Sequence, residues 1–415
     1  MMYILLPFSK DTNYPNKNYF VIPITIGNDK RPFKVQIDTS SANTWVPLYD
    51  KIAKKNNVTL YDEDGIVSGF ETYSNVVIGG IIHLKRFGFV QVDDYGKDFD
   101  DYPSGKIGLG YRGSYNNEFN LMSMFISSNI IEHRIFSIEY VNETNGNIYF
   151  DDYISSESPY VCNVTSYENI NELYRESWLC SLSHVIFSES QPDFIERLNI
   201  NSRILFDSAY DYILIPYKFY YLIKEKLFDK FLIDACTEQK GNNKRLNDVY
   251  YICESENMDI KKVNFTFIMQ GYAYTLKMSA LFKQINDTHY QSLIRFAKAD
   301  NEDDDDEESI WMVGYPFMKH FILRYDYDHS QIGFANITQG SIIDMKDEWN
   351  EWYIKFKTNT EENALHTKNM HMLYAGVFIL AVVLSLFIAC LIIRARRRRK
   401  MEDIRPFMPN EEKSV

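Results

Sequence analysis

Short runs of apolar residues that alternate with polar ones fill the segment from residue 19 to residue 100. The runs YFVIPITIG, FKVQID, NVVIGGIIHL and FGFVQV are rich in β-branched and aromatic residues, and turn residues separate them. Alternation of this kind predicts short antiparallel strands. Stretches with helical periodicity are scarce, the best being 117–128 and 216–235. The pattern predicts an all-β protein.

A second pattern, an uninterrupted apolar run, lies near the C-terminus. Residues 372–393 contain no charged side chain, and the run exceeds the roughly 20 residues that a helix needs to cross a bilayer core. Arginines and one lysine follow at 394–400, and such a cluster stays on the cytoplasmic side. It also argues against the alternative of a buried core helix. We expect a stem at 342–371, a transmembrane helix at 372–393 and a basic cytoplasmic tail at 394–415.

Composition and charge exclude several classes of protein. Hydrophobic residues make up 45% of the chain and aromatic residues 15%, which is enough apolar surface to oppose disorder. The net charge of −13, with no basic stripe before residue 390, argues against nucleic-acid binding. The acidic run 299–308 predicts a solvated hairpin loop. Alternatively, it attracts basic substrates or partners. No two His residues are four apart, there is no CxxC motif, and no Gly-rich loop opens a helix. The sequence therefore predicts neither a metal nor another cofactor.

Cysteines and glycosylation motifs indicate an oxidising compartment, with the main part of the chain lumenal or extracellular. Four cysteines precede the apolar run and a fifth, Cys390, lies within it. Sequons stand at Asn57, Asn142, Asn163, Asn264, Asn286 and Asn336. Residues 1–17 contain only a weak apolar start, so we interpret them as the remains of a signal region and expect the natural N-terminus to lie further upstream.

An internal repeat divides the protein into two lobes. FKVQIDTSSANTWVP at 33–47 and SRILFDSAYDYILIP at 202–216 each carry an apolar strand, an Asp, a hydroxyl residue, a small residue and a Pro nine positions after the Asp. Each copy is followed by an apolar segment with a glycine, Gly108 and Gly314. The repeat therefore marks one special aspartate in each lobe, Asp38 and Asp207.

Two facing aspartates can perform acid–base chemistry. A single Asp after a strand is usually a turn or cap residue, but a duplicated one can meet its copy across a pseudo-twofold axis. Two such carboxylates cannot both ionise at moderate pH, so one stays protonated while the other acts as a base. The pair can activate a water against an amide carbonyl and protonate the leaving nitrogen.

The ordered series of motifs resembles the pepsin-like aspartic proteases. The blocks that carry the resemblance are YFVIPITIGNDKRPFKVQIDTSSANTWVP, VSGFETYSNVVIGG, GKIGLGY, DSAYDYILIP and WMVGYPFMKHFILRYDYDHSQIGFA. The resemblance implies a bilobal all-β fold, with lobes at 18–165 and 166–341, a cleft between them and a hairpin flap over the cleft. It implies peptide or protein substrates and no cofactor. The oligomeric state stays open, with a monomer favoured.

The resemblance also assigns roles by position. Asp38 and Asp207 would be the catalytic pair, Thr39 and Ser208 the bracing hydroxyls, Ser41 a hydrogen-bonding neighbour of Asp38, and Trp45 a side chain behind the flap. Tyr61 is the candidate flap tyrosine, although LYDEDGIVSGF needs one inserted residue to match. Cys236–Cys253 would be the disulfide of the second lobe, with Cys162–Cys180 as the remaining pair.

Three residues depart from the family's D-[TS]-G-[ST] loops. Ser40 and Ala209 occupy the two glycine positions, and Tyr210 replaces the second hydroxyl residue beside Asp207. An added side chain there can displace the attacking water or tilt a carboxylate. Two functions therefore remain open: a membrane-anchored aspartic endopeptidase acting on extended apolar peptides in acid, or an impaired pseudo-protease that binds peptides or a partner. A rigid surface protein used for adhesion is a third and weaker alternative.

Overall fold

The structure is a computed structural model of the chain. It describes residues 3–13, 18–27, 32–47, 57–62, 65–95, 105–111, 120–151, 160–164, 177–189, 195–229, 235–241, 248–254, 263–297, 310–336 and 341–345. The acidic run 299–308, the predicted transmembrane helix 372–393, the tail 394–415 and most of the stem 342–371 lie outside these residues. No helix within the described residues is long and apolar enough to cross a bilayer.

Strands dominate the described residues, as the alternating pattern predicts. They are β1 Ile4–Lys10, β2 Phe20–Ile26, β3 Phe33–Asp38, β4 Trp45–Pro47, β5 Asn57–Asp62, β6 Gly65–Ile78, β7 Ile82–Tyr95, β8 Lys106–Gly108, β9 Ile135–Tyr140, β10 Asn145–Phe150, β11 Tyr160–Asn163, β12 Leu179–Glu189, β13 Ile195–Phe206, β14 Ile213–Pro216, β15 Cys236–Lys240, β16 Val249–Glu254, β17 Val263–Met269, β18 Tyr272–Lys277, β19 Phe282–Gln284, β20 His289–Ala297, β21 Ile310–Val313, β22 Phe321–Asp326, β23 Gln331–Asn336 and β24 Ser341–Asp344.

These strands form two large sheets, one centred on each lobe. The first contains 13 strands in the order β11-β23-β22-β9-β10-β1-β2-β3-β8-β4-β7-β6-β5, and β2 also pairs with β6, so this sheet closes partly on itself. The second contains 11 strands: ten in the order β15-β16-β20-β14-β21-β13-β12-β17-β18-β24, with β19 added beside β20. Strand β2 shows why the sheets form, since Phe20, Ile22, Ile24 and Ile26 all point into the core. The mostly β, bilobal architecture is the one that the resemblance implies.

The N-terminal segment belongs to the folded body. Residues Ile4–Lys10 of the predicted signal remnant form β1, which pairs antiparallel with β10. Leu6 and Phe8 of this strand are buried in the core. Because the partner strand lies far along the chain, local sequence could not reveal this pairing.

Strands near the C-terminus join both sheets. β22 pairs with β9 of the first sheet, although residues 321–326 fall within the predicted second lobe 166–341. β24 pairs with β18 of the second sheet, so the first residues of the predicted stem continue the sheet. The last strands among the described residues thereby tie the two lobes together.

Helices are few and short in the described residues. α1 spans Leu121–Ser127, within the predicted stretch 117–128, and Asn120 caps it by accepting a hydrogen bond from the Ser123 backbone N–H. Further along are a 3₁₀ turn at Tyr217–Phe219, α2 at Tyr220–Ile223, a π turn at Lys224–Phe228, a 3₁₀ turn at Met278–Leu281 and α3 at Tyr315–Met318.

Both predicted disulfides are confirmed. Cys162 is bonded to Cys180, and Cys236 to Cys253. The second bond links β15 to β16, where the two cysteines are directly opposite each other in the antiparallel register. The first connects β11 of the first sheet to β12 of the second and so staples the two lobes.

The sequons occupy different environments. Asn57, Asn142, Asn163 and Asn286 are exposed, whereas Asn264 is half-buried in β17. Asn336 ends β23. Glycosylation of these sites stays a prediction.

Candidate active site

The two aspartates lie at equivalent points of a duplicated three-strand unit. In the first lobe β8 runs parallel to β3 and antiparallel to β4; in the second, β21 runs parallel to β13 and antiparallel to β14. Asp38 is the last residue of β3, and Asp207 follows directly after β13. The duplicated sequence pattern thus corresponds to a duplicated topology.

One glycine in each unit lets two segments of backbone pack closely against each other. A Cβ on Gly108 would lie 2.5 Å from the backbone nitrogen of Asn43, and one on Gly314 would lie 2.2 Å from the carbonyl oxygen of Tyr210. No side chain fits at such distances. The glycines that the repeat singles out are therefore required by close backbone packing next to the aspartate loops.

Thr39 and Ser208 bind the two aspartate loops to each other. The Thr39 hydroxyl donates to the Phe206 carbonyl at 2.7 Å, and the Ser208 hydroxyl donates to the Ile37 carbonyl at 2.8 Å. Each hydroxyl also accepts from the other residue's backbone N–H, at 3.1 Å for Thr39 N–H and 3.0 Å for Ser208 N–H. This reciprocal set joins the two lobes at the point where both aspartates lie.

Asp38 is completely buried and heavily bonded. Its Oδ1 accepts the backbone N–H of Ser40 at 2.9 Å, the backbone N–H of Ser41 at 3.0 Å and the Ser40 hydroxyl at 2.6 Å. The Ser41 hydroxyl accepts the Asn43 backbone N–H at 3.3 Å. Ser41 therefore contacts Asp38 through its backbone, and its side chain braces the loop.

Ser40 occupies a position where the family has glycine, and its side chain fills the space beside Asp38. Its side chain is buried and turns towards Asp38, while its carbonyl accepts a hydrogen bond from the Ser177 hydroxyl at 2.9 Å. The added CH₂OH group that the sequence flags as a steric problem has become a third donor to the carboxylate. This hydroxyl stabilises the negative charge of the Asp38 carboxylate, the same charge that accepts a proton when the carboxylate acts as a base.

Asp207 is also completely buried. Its Oδ1 accepts the Ala209 backbone N–H at 2.7 Å, and the Ala209 carbonyl accepts the Gln36 side-chain amide at 3.0 Å. Tyr210, at the lost hydroxyl position, is buried in an apolar cluster that includes Leu179, Leu205, Leu214, Ile310 and Met312. The second loop is therefore built differently from the first.

Lys106 is a site residue that the sequence reasoning missed. Its Nζ lies 3.1 Å from Asp38 Oδ2, and both side chains are almost fully buried, with exposures of 1% and 0%. The available signal was a lysine next to the uncharged segment IGLGY. Its importance emerges only from the pairing of β8 with β3.

Trp45 lies beneath the hairpin formed by β5 and β6. It packs in a cluster with Val58, Leu60, Val67, Val90 and Val92. Val58 and Leu60 come from β5 and Val67 from β6, so Trp45 supports this hairpin from behind. Tyr61 lies in β5 opposite Ile66, one pair before the hairpin turn.

An aromatic layer fixes the segment that follows Gly108. The Trp178 indole N–H donates to the Leu109 carbonyl at 2.9 Å, and the Tyr327 hydroxyl donates to the Gly110 carbonyl at 2.7 Å. Trp178 also packs edge-on against Tyr325 and Tyr327, with ring centroids 5.1 and 4.7 Å apart. Burial raises the pKa of the Tyr325 phenol well above its usual range, so this layer is uncharged.

In the part of the chain that the structure describes, no group of three or more His, Cys, Asp and Glu side chains is placed to bind a metal ion. The site instead presents two buried carboxylates, hydroxyl donors and one ammonium. Such a set can transfer protons.

Comparison with known proteins identifies the family of the chain. A family model described as eukaryotic aspartyl protease matches residues 18–337. Renin-2 of Mus musculus is 23% identical over 353 residues, covering 78% of this chain and 80% of its own length. Renin of Rattus norvegicus is 24% identical with the same coverage, and pregnancy-associated glycoprotein 2 of Bos taurus is 30% identical over 127 residues, or 25% of this chain and 33% of that protein. The chain belongs to the eukaryotic aspartyl protease family.

Proposed function

We propose that the protein is a membrane-anchored aspartic endopeptidase that hydrolyses extended, largely apolar peptides under acidic conditions. The observation that carries the proposal is the reciprocal bonding of Thr39 and Ser208, which holds the loops of Asp38 and Asp207 together. Isolated turn aspartates would not need such bracing between lobes. A buried pair of carboxylates held at one point is suited to acid–base catalysis.

The reaction uses one ionised and one protonated carboxyl group. The ionised aspartate removes a proton from water, the water oxygen bonds to the amide carbon, and the protonated aspartate donates its proton to the carbonyl oxygen. The C–N bond of the tetrahedral intermediate then breaks. The leaving nitrogen takes the proton from the first aspartate, and a hydroxyl of the intermediate returns its proton to the second, which restores the starting state.

The membrane anchor rests on the sequence of the C-terminal region. The uncharged run 372–393 followed by the basic cluster 394–400 supports one spanning helix with a cytoplasmic tail. Two disulfides and four exposed sequons support a lumenal or extracellular protease body in the secretory system. Digestion of sealed vesicles tests the topology. Protection of the protease body with loss of the tail is the expected result, and a protected tail would rule the arrangement out.

A peptide library incubated with the purified full-length chain at about pH 4 to 6 tests the activity. We expect cleavage by the wild type and no cleavage by Asp38→Asn or Asp207→Asn, since each replacement removes one carboxyl group but keeps the shape. Thr266→Val, on β17 and outside the two aspartate loops, serves as the folded control. Equal cleavage by the wild type and both Asn variants would assign the activity to a contaminant.

A second candidate function is a peptide-binding pseudo-protease. The buried contact between Lys106 and Asp38 favours it, because an ion pair of this kind can serve a purely structural role. In the same library, this function gives retention of peptides without cleavage. Retention by the wild type with no cleavage would favour the binding protein over the enzyme.

A further inference from the structure

Lys106 and Asp38 form an ion pair inside the protein. The Lys106 Nζ and Asp38 Oδ2 atoms are 3.1 Å apart, and both side chains are withdrawn from solvent. A buried ammonium or carboxylate alone carries a large desolvation cost. The two charges are therefore mutually dependent, and the pair is neutral as a unit.

The second lobe has no charge at the equivalent place. Parallel pairing sets Lys106 opposite Gln36 in the first lobe and Met312 opposite Leu205 in the second. Lys106 and Met312 each lie two residues before the crossing glycine of their lobe. At this one position the duplicated unit carries a charge in the lobe of Asp38 and an apolar side chain in the lobe of Asp207.

Other titratable groups also lie near the pair. Asp207 lies on the opposing loop, which Thr39 and Ser208 hold in place. Tyr140 and Tyr325 both interact electrostatically with Asp207, and burial raises the pKa of each phenol well above its usual range. The phenols are neutral in acid. Gln36, Ser40 and Ser41 contribute dipoles to the loops but no charge.

We propose that Lys106 is a positioning residue that holds Asp38 as the ionised member of the pair, so that the shared proton resides on Asp207. The inference rests on the proposed function and deepens it, because it assigns the base to Asp38 and the acid to Asp207. The hydrogen bonds to Asp38 Oδ1 from two backbone N–H groups and the Ser40 hydroxyl stabilise the same ionised state. Repulsion between the two carboxylates is what makes them retain the shared proton as the pH rises. The ammonium reduces this repulsion.

The pH–rate profile of Lys106→Met tests the assignment. Methionine is the residue that the second lobe carries at this position, so it fits an equivalent apolar setting. Without the ammonium, the two carboxylates repel each other more and keep the shared proton to higher pH. We expect the ratio of kcat/KM at about pH 6.5 to that at about pH 4.5 to rise about tenfold, while Lys106→Arg keeps the wild-type ratio because it keeps the charge.

An activity-independent measurement guards against misfolding of the variant. Thermal unfolding of the full-length chain is compared at about pH 7 and about pH 4 for wild type, Lys106→Met, Asp38→Asn and the double variant. We expect Lys106→Met to lose more stability at the higher pH, where it leaves a buried carboxylate without its cation, and Asp38→Asn to recover that loss in the double variant.

The outcomes separate the two proposals. An active Lys106→Met enzyme with an unchanged pH profile overturns the role of Lys106 and leaves the endopeptidase intact. Additive effects of Asp38→Asn and Lys106→Met on stability, equal at both pH values, overturn it as well. Wild type and Asp38→Asn that are equally inactive on every peptide overturn the endopeptidase, and the catalytic role of Lys106 with it.

Discussion

Thr39 and Ser208 each donate a hydroxyl proton to a carbonyl of the other lobe and each accept the other's backbone N–H. Both side chains are buried, so water cannot replace a lost partner. The two lobes therefore meet through a closed set of hydrogen bonds immediately beside the aspartates.

Removal of either hydroxyl should weaken this junction. Thr39→Val keeps the shape but leaves the Ser208 N–H without its acceptor, and an unsatisfied buried group costs about 1 to 3 kcal/mol. We expect that loss of unfolding free energy in denaturant titrations, together with reduced kcat. Thr39→Ser, which keeps the hydroxyl, should retain most of both. Thr266→Val removes a hydroxyl from the Thr266–Thr275 pair on β17 and β18, and a loss of kcat there would contradict the local explanation.

Ser40 offers a way to separate hydrogen bonding from space. Its hydroxyl donates to Asp38 Oδ1 at 2.6 Å, a charge-assisted hydrogen bond to the carboxylate. Ser40→Gly removes the bond and the side chain, whereas Ser40→Ala removes only the bond. We expect both to raise kcat at acidic pH by a similar factor, about three- to tenfold, with Ala209→Gly adding to the gain.

A gain in Ser40→Gly that is missing in Ser40→Ala would show that the space occupied by Cβ limits the reaction. No gain in either variant, alone or with Ala209→Gly, would mean that the two departures from the family loops are neutral for catalysis. Steady-state kinetics on one peptide distinguishes these results.

The active-site loops could be predicted from sequence because they are duplicated. Asp38 and Asp207, with Thr39 and Ser208, stand in matching local patterns, and the family resemblance implies that the two hydroxyls brace the loops. Lys106 could not be recognised in the same way, since its role depends on the parallel pairing of β8 with β3, and strand β8 is too short to show alternation. Strand β1 could not be predicted for a related reason, because only its pairing with β10 reveals that it is part of the sheet.

Gly314 should tolerate no side chain. A Cβ there would lie 2.2 Å from the Tyr210 carbonyl oxygen and 2.8 Å from the Tyr210 Cβ, so Gly314→Ala must push β21 away from the Asp207 loop. We expect a loss of more than about 3 kcal/mol of unfolding free energy and loss of activity. Gly80→Ala is the matched control. It has nothing within 4 Å and only the strain of a φ of +75°, so about 1 kcal/mol is expected. Equal losses in the two variants would contradict the steric explanation.

His320 should make the protein less stable in acid. It lies between α3 and β22, is buried, and its Nε2 has no hydrogen-bond partner within the described residues. Burial, with a smaller effect from the Lys319 ammonium, lowers its pKa from 6.5 to about 4. The unfolded chain therefore binds a proton at a pH where the folded protein does not. Stability is fully present above the unfolded value and declines as the pH falls towards the folded value.

The full decline corresponds to about 3 kcal/mol. Denaturant unfolding at about pH 7 and about pH 4.5 measures it in the wild type and in His320→Gln, which cannot gain the charge. We expect the wild type to lose more stability than His320→Gln between these two pH values. His83→Gln removes an exposed imidazole from β7 and should follow the wild type. An equal loss in wild type and His320→Gln would show that other groups cause the acid sensitivity, and that the imidazole reaches solvent once it is protonated.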